Sequence, residues 1–432
     1  MRLALRLRLV APLLVASVWA PRAADAQSTA CTTVRQNLTV RDVMQDLYYW
    51  NRLLPNPNPA AFASPEAYLE AVRYRPLDTT FSYISQRAAD DAFFSDSQFI
   101  GIGLSTKLTD DQLFISQVFP DSPASEAGLL RGDRVLAING RTIDDLVASG
   151  DIGNAFGPST IDYEVQLTFA HPDGQEVSAT AIKRLVTIPT VSQTVVLDLD
   201  GVRIGYLHFR NFVQPSFGAL DEAFATLKAA GVRELVLDLR YNGGGLVSVA
   251  QHLASLVGGV YTTGQVFATF AHNSRNSFRD TTLRFGGPEN ALGLDRLVVI
   301  TTRASASASE LVINALRPFM PVVIVGDRTF GKPVGQYSVN FCDKVVHPVA
   351  FALKNANGEG GYFDGLAADC PAADDLTHPL GTAGEASLSE ALQFLRTGAC
   401  TPQPAAESTR IRAARDRSLG LVTGWQQLVN AY

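Results

Sequence analysis

Three short stretches carry the residue types from which acyl-transfer chemistry can be built. A glycine triplet stands at 243–245 in DLRYNGGG, a serine at 307 in RASASASE, and a lysine at 332 in RTFGKPVGQ. Backbone N–H groups of glycines can hold a developing oxyanion, a serine can attack a carbonyl, and a neutral lysine can take the serine's proton. Neutrality is the demanding condition. At the ordinary pKa of about 10.4, only about one lysine in 2,500 is deprotonated at pH 7. Lowering the pKa by about 3 units takes roughly 4 kcal/mol of differential destabilisation of the ammonium, which burial can supply. The apolar run PVVIVG and Phe330, just ahead of Lys332, are suited to such a pocket.

Each residue also has a structural reading. Ser307-x-x-Glu310 fits a capping box, an ordinary way to start a helix. Ser305 and Ser309 read as turn and packing residues, and Lys332 alone reads as a surface lysine. GDRTFGK (326–332) fits most of a phosphate-binding loop, but Pro333 stands where the magnesium-holding hydroxyl belongs, and Gly335 follows instead of a helix. No G-x-S-x-G elbow and no H-E-x-x-H occurs, so those hydrolase classes lack their signatures.

The elements around these loops give them a common setting. VRIGYLHF, RELVLDL, RLVVITT and PVVIVG read as apolar strands, and FGALDEAFATLKAAG and LVSVAQHLASLV read as helices between them. Strands apolar on both faces and alternating with helices predict a largely parallel sheet, with the three loops at strand ends. Upstream, residues 91–185 change to short strands and tight turns. FIGIGLS, the strand QLFISQVF, the short helix in SPASEAGL and the hairpin at Asn139-Gly140 follow one another in the order of a bacterial-type PDZ domain. Residues 27–90 read as a small helical packing module, with Ser64 capping and Pro65 opening a helix.

Taken together, the chain resembles the tail-specific, or C-terminal processing, serine proteases of peptidase family S41. The resemblance covers about 90–395 and rests on the PDZ order, DLRYNGGG, SASASE and TFGKPVGQ. The 25-residue step from Ser307 to Lys332 and the four-residue step to Gln336 match the family's spacing. The resemblance implies a multidomain α/β architecture: a crotonase/ClpP-like core at 186–400, the PDZ domain and the N-terminal segment. It implies Ser307 as nucleophile, Lys332 as general base, Gln336 as its support, and the N–H groups of Gly245 and Ala308 as oxyanion donors. The GIG segment resembles the loop that holds a ligand's C-terminal carboxylate, through N–H groups around Ile102, Gly103 and Leu104. Pro333 departs from the glycine many relatives carry. No cofactor or metal is expected. The expected partners are protein or peptide substrates with free C-termini. A catalytically silent PDZ-containing adaptor on the same fold is the alternative.

Bulk properties narrow the class further. A net charge of −6 over 432 residues offers no basic footprint for nucleic acid. Arg2, Arg6 and Arg8, the apolar 9–20 and Ala24-Asp25-Ala26 predict a signal peptide over 1–26, hence export to the periplasm or the extracellular space, with Gln27 first in the mature chain. Lipid attachment at Cys31 is the weaker variant, and no later run predicts an integral membrane span. Export predicts disulfides among Cys31, Cys342, Cys370 and Cys400, whose spacing suits no zinc site. Of the three pairings, Cys342–Cys370 is favoured because it closes a hairpin-sized segment, leaving Cys31–Cys400. Residues 401–432 read as a polar tail.

Overall fold

The computed structural model of the chain describes residues 31–402. The expected signal peptide and nearly all of the expected tail lie outside the described residues. The C-terminal half is organised by a six-stranded sheet. Its order is Val191–Leu199, Val202–Phe209, Glu234–Asp238, Leu297–Thr301, Val322–Gly326 and Cys370–Pro371. All neighbours are parallel except the first pair. Leu297–Thr301 is buried at every position because both faces are covered. Helices Ser216–Ala229, Val247–Gly258 and Ala308–Leu316 pack on one face, and Ala386–Thr397 on the other. An antiparallel sheet of Thr281–Arg284, Val266–His272, Val349–Lys354 and Val334–Gln336 carries the residues that follow Lys332.

The PDZ domain is a five-strand path, Leu104–Thr109, Gln112–Val118, Arg134–Ile138, Glu164–Ala170 and Glu176–Ile182, around its own core. It docks on the C-terminal half through charge. Lys107 Nζ lies 2.7 Å from Asp374, and Arg131 donates to the Tyr241 hydroxyl at 2.9 Å and to Asp374 at 3.4 Å. Ser105 and Thr106 on the outer strand are buried.

Residues 31–90 are less independent than their helical pattern predicts. Tyr83–Gln86 pairs with Lys344–His347, and Val40, Met44, Tyr48 and Tyr68 share a core with Val334, Val346 and Val349. The expected boundary at 90/91 falls inside the helix Arg87–Asp96. Among the described residues no helix is long and apolar enough to cross a membrane.

The disulfides correct the expected pairing. Cys342 is joined to Cys31, not to Cys370, and Cys370 is joined to Cys400, with Cα separations of 5.9 and 5.2 Å. Nearness along the chain misled because the residues between Cys342 and Cys370 run from one sheet to another. Cys342 turns the hairpin Val339–Phe341/Lys344–His347 beside the N-terminal module, whereas Cys370 edges the six-stranded sheet next to Val325. A sulfur bridged to Cys342 has no valence left for a lipid on Cys31. Peptide mapping without reduction is expected to yield Cys31–Cys342 and Cys370–Cys400. A recovered Cys342–Cys370 peptide would contradict this arrangement. For the 30-residue separation of Cys370 and Cys400, the chain-entropy contribution is about 3–4 kcal/mol.

Candidate active site

The strand Leu297–Thr301 ends in a loop that puts Ser307 directly before the helix Ala308–Leu316. Ser307 has φ 55° and ψ −111°, a conformation that costs a non-glycine residue about 1–3 kcal/mol and that surrounding structure must impose. Several bonds impose it. Asn242 O accepts from Ala306 N–H at 3.0 Å and from the Ser309 hydroxyl at 2.8 Å. The Ser305 hydroxyl donates to Leu239 O at 2.7 Å. Ser305 and Ser309 are thus fully buried structural hydroxyls. At Ser307 the capping-box arrangement is in place. Its side chain makes no cap hydrogen bond within ordinary limits, while its N–H donates to Glu310 Oε2 at 2.8 Å.

The glycine run after Glu234–Asp238 lies against this serine. A Cβ on Gly244 would sit 2.8 Å from Ser307 Cβ and from Ala308 N, and a Cβ on Gly245 would overlap Phe212 O. With φ of 105° and 140°, both positions also demand glycine on backbone grounds. Gly244 is therefore packed against Ser307 and Ala308 at the positive end of a helix, with Gly245 next to it in the chain and held against Phe212.

Lys332 lies on the neighbouring loop, between Val322–Gly326 and Val334–Gln336, and is 7% exposed. Its Nζ donates to Gln336 Oε1 at 2.6 Å. The Gln336 amide nitrogen donates to Phe81 O at 2.5 Å and His347 O at 3.1 Å, which fixes the amide with its oxygen toward the lysine. The Phe81 ring centroid is 5.8 Å from Nζ. Burial pulls the Lys332 pKa down to about 8, against the opposing pull of the Asp78 and Glu310 carboxylates. At pH 7 about a tenth of such lysines are neutral, some two hundred times the unperturbed fraction. Pro333 is accommodated, its carbonyl accepting from Leu353 N–H at 3.2 Å. A strand rather than a helix follows, unlike a phosphate loop.

Ser307 and Lys332 share no hydrogen bond in this conformation. Among the described residues the lysine's only hydrogen-bond partner through Nζ is Gln336. The two loops are instead joined through Glu310, which is fully buried. Its Oε1 accepts from the Thr329 hydroxyl at 2.6 Å and Gly331 N–H at 2.7 Å. Its Oε2 accepts from Ser307 N–H and Lys332 N–H, each at 2.8 Å. Burial raises the Glu310 pKa and these four donors oppose it. Read from sequence, Glu310 is only a helix cap. In Glu310→Gln the amide nitrogen must face donors whichever way it turns. The expected result is at least a tenfold loss of any Ser307-dependent reaction and a stability loss of about 1–3 kcal/mol. A denaturant midpoint and rate equal to those of the native chain would refute this role.

Two further contributions carried no local signal. Asp78 and Phe81 reach the lysine from the N-terminal module, 255 positions from Gln336 in the case of Phe81. Asp238 and Arg240, at the root of the glycine loop, form a buried ion pair extended by Glu385, the N-cap of the helix Ala386–Thr397. In the PDZ loop, Gly103 has φ 88° and its Cβ would overlap Ser122. Ile102 O and Gly103 O accept from Ala124 and Phe119 N–H at 2.8 and 2.9 Å, and Ile102 and Leu104 are fully buried.

Comparison with known proteins bears directly on this arrangement. The signature of peptidase family S41 matches residues 203–369, which include the glycine, serine and lysine loops. The signature of the peptidase S41 N-terminal domain matches 35–83, and a PDZ domain matches 114–149. The chain belongs to peptidase family S41. It is 25% identical over 262 residues to the carboxy-terminal-processing protease of Bartonella bacilliformis, covering 59% of this chain and 57% of that protein. It is 29% identical over 259 residues to the carboxy-terminal processing protease CtpB of Bacillus subtilis, covering 57% and 50%. The chain thus spans about half the length of the curated relatives it matches. Among solved structures it is similar to a Bacteroides fragilis NCTC 9343 protein assigned to the S41 proteases. That match has TM-score 0.68 and 27% identity, over 84% of this chain and 97% of the other. The photosystem II D1 C-terminal processing protease shares the fold, with TM-score 0.50 and 22% identity over 78% and 92%.

Proposed function

We propose that this S41 chain is an exported serine endopeptidase that cuts proteins or peptides near their C-termini through a Ser307/Lys332 dyad. The observation that carries the proposal is the state of Lys332: buried, brought down to about pKa 8, and aimed by a glutamine whose own orientation is fixed. A group so placed can act as a general base near neutral pH. Neutral Lys332 takes the proton of the Ser307 hydroxyl as Oγ attacks the scissile carbonyl carbon. The resulting oxyanion is met by the N–H groups of Gly245 and Ala308. Collapse breaks the C–N bond, and the leaving amine takes the proton from the Lys332 ammonium. Water then attacks the acyl-enzyme ester with Lys332 again as base, which restores the Ser307 hydroxyl. Gln336 Oε1 can accept an N–H from the lysine in either protonation state, so the amine stays oriented through the cycle. Catalytic hydrogen bonds often tighten only when substrate is bound, so the missing Ser307–Lys332 bond suits an unliganded enzyme.

That same missing bond favours a second reading, a silent adaptor that uses only its PDZ domain. The two readings divide on turnover. In the peptidase reading the PDZ domain delivers substrates by their tails, a peptide adding beside the sheet with its carboxylate on N–H groups around Ile102, Gly103 and Leu104. Each charge-assisted bond contributes about 1.5–3 kcal/mol, so amidating a substrate's C-terminus is expected to slow cleavage at least tenfold. The measurement compares matched free and amidated substrates on the intact chain and on Gly103→Val. Cleavage that ignores amidation would remove tail reading, and absence of all cleavage would favour the adaptor.

A further inference from the structure

Beside the two catalytic loops lies a cavity of about 770 Å³, lined by residues that the dyad does not use. Its apolar lining includes Phe330, Phe363, Ala367 and Pro371, and its charged groups are Arg303, Asp327, Arg328 and Asp364. It is lined by residues of the same two loops that carry Ser307 and Lys332. Arg303 lies four positions before Ser307 in the same loop. Phe330, two positions before Lys332, is held to that loop by its N–H donating to Ser305 O at 2.9 Å.

The charges in this cavity are unevenly satisfied. Arg328 donates to Asp364 O at 3.3 Å, and Asp327 accepts from the N–H of Arg328 at 2.6 Å. Arg303 is half-buried, yet among the described residues its guanidinium makes no hydrogen bond and no ion pair within 4 Å. It is attracted to Asp327, a carboxyl whose own pKa burial raises. A guanidinium offers five donors in a planar fork that matches a carboxylate. Here that fork lines a partly apolar hollow of peptide size and, among the described residues, has Asp327 as a charge nearby but no hydrogen-bond partner.

We propose that the cavity is a substrate subsite that accepts a carboxylate of the peptide chain, with Arg303 as its principal contact and the phenylalanine side as the bed for the adjoining apolar atoms. The inference rests on the peptidase reading and adds a substrate class to it: chains bearing an acidic group at a fixed distance from the cut. That group can be an Asp or Glu side chain or the chain's own terminus. Both present the same chemistry to Arg303.

The test uses the full chain, Arg303→Gln, Arg303→Glu and Arg328→Gln. One arm presents peptides blocked at both ends, with Glu or Gln scanned across positions around the cut. A second arm presents the same peptides with a free C-terminus at varied distance. The expected result is one position at which the carboxylate improves kcat/KM at least tenfold, chiefly through KM. Arg303→Gln should abolish that preference and Arg303→Glu should invert it, while Arg328→Gln should retain it. If the effect appears only with free ends and follows Arg303, the terminus is the group taken. If it follows Gly103→Val instead, the PDZ domain is the reader and the subsite is overturned. A preference untouched by Arg303→Glu, or none at any position, overturns it equally. Anisotropy of labelled Glu and Gln peptides on Ser307→Ala, with and without Arg303→Glu, reads the cavity without turnover. It therefore separates failure of the subsite from failure of the peptidase reading.

Discussion

Lys332→Arg is expected to lose cleavage by at least a thousandfold, as completely as Ser307→Ala, with no loss of fold. Arginine keeps the positive charge and the length but cannot become the neutral base, so charge alone does not rescue it. The native rate should climb with pH along an acid limb centred near 8, the value to which burial brings Lys332. Chelators should have no effect on a Ser/Lys reaction. Stability gives an independent check on the same side chain. A lysine whose folded pKa is lowered binds fewer protons folded than unfolded between about 8 and 10.5. Native stability therefore rises with pH across that window, and the full cost is felt below it. Lys332→Met, inactive, is expected to be about 2–3 kcal/mol more stable than the native chain at pH 7, with the advantage shrinking above pH 8. Denaturant midpoints at pH 7 and 10 measure it. A less stable Lys332→Met would mean that the lysine is not held against its charge.

Arg240→Ala is expected to be the most damaging single change outside the dyad. Arg240 is fully buried and donates to Asp238 Oδ2 at 2.6 Å and to Glu385 Oε1 at 2.6 Å and Oε2 at 3.0 Å. Asp374 is 3.6 Å away and also receives the Tyr241 hydroxyl at 2.6 Å. Burial by itself would raise the Asp238 and Asp374 pKa values. The surrounding cations win, Arg240 for Asp238 and Lys107, Arg131 and Arg240 for Asp374, so both carboxyls are held below their usual range. Removing the arginine leaves buried carboxylates without their main partner, at a cost of about 3–5 kcal/mol. The glycine triplet begins three residues later, so cleavage should fall along with stability. Because these carboxyl pKa values are depressed, the stability they carry is present above the unfolded pKa near 4 and is lost as pH falls below it. Arg240→Lys should recover only part, since a point charge cannot fork between Asp238 and Glu385. An Arg240→Ala midpoint within about 0.5 kcal/mol of native would show that the cluster is not a structural anchor.

The loops of the candidate site were legible in the sequence because they carry their chemistry in residue type. Glycines at 244 and 245 are required by close backbone approach, and a serine and a lysine follow their strands at fixed offsets. The apolar strands were legible for the related reason that a sheet covered on both faces leaves no alternation to misread. What local pattern cannot show is which distant segments meet. The Phe81 carbonyl reaching Gln336, and Cys31 bonding Cys342 across 311 positions, are products of tertiary packing. Glu310 is the intermediate case. Its position three residues after Ser307 announces a cap, and only the folded loops reveal that the oxygen accepting from Ser307 N–H also accepts from Lys332 N–H, while the other oxygen holds Thr329 and Gly331.

The central claim, that Ser307 is a nucleophile activated by a neutral Lys332, is tested most directly by labelling with a fluorophosphonate across pH. The native chain should take up one label, mapped to Ser307, at a rate rising through about pH 8 and levelling off above it. Lys332→Met should remain folded and label at least a hundredfold more slowly, with no such pH step. Labelling of native Ser307 that is flat in pH, or equally fast in Lys332→Met, would contradict the dyad.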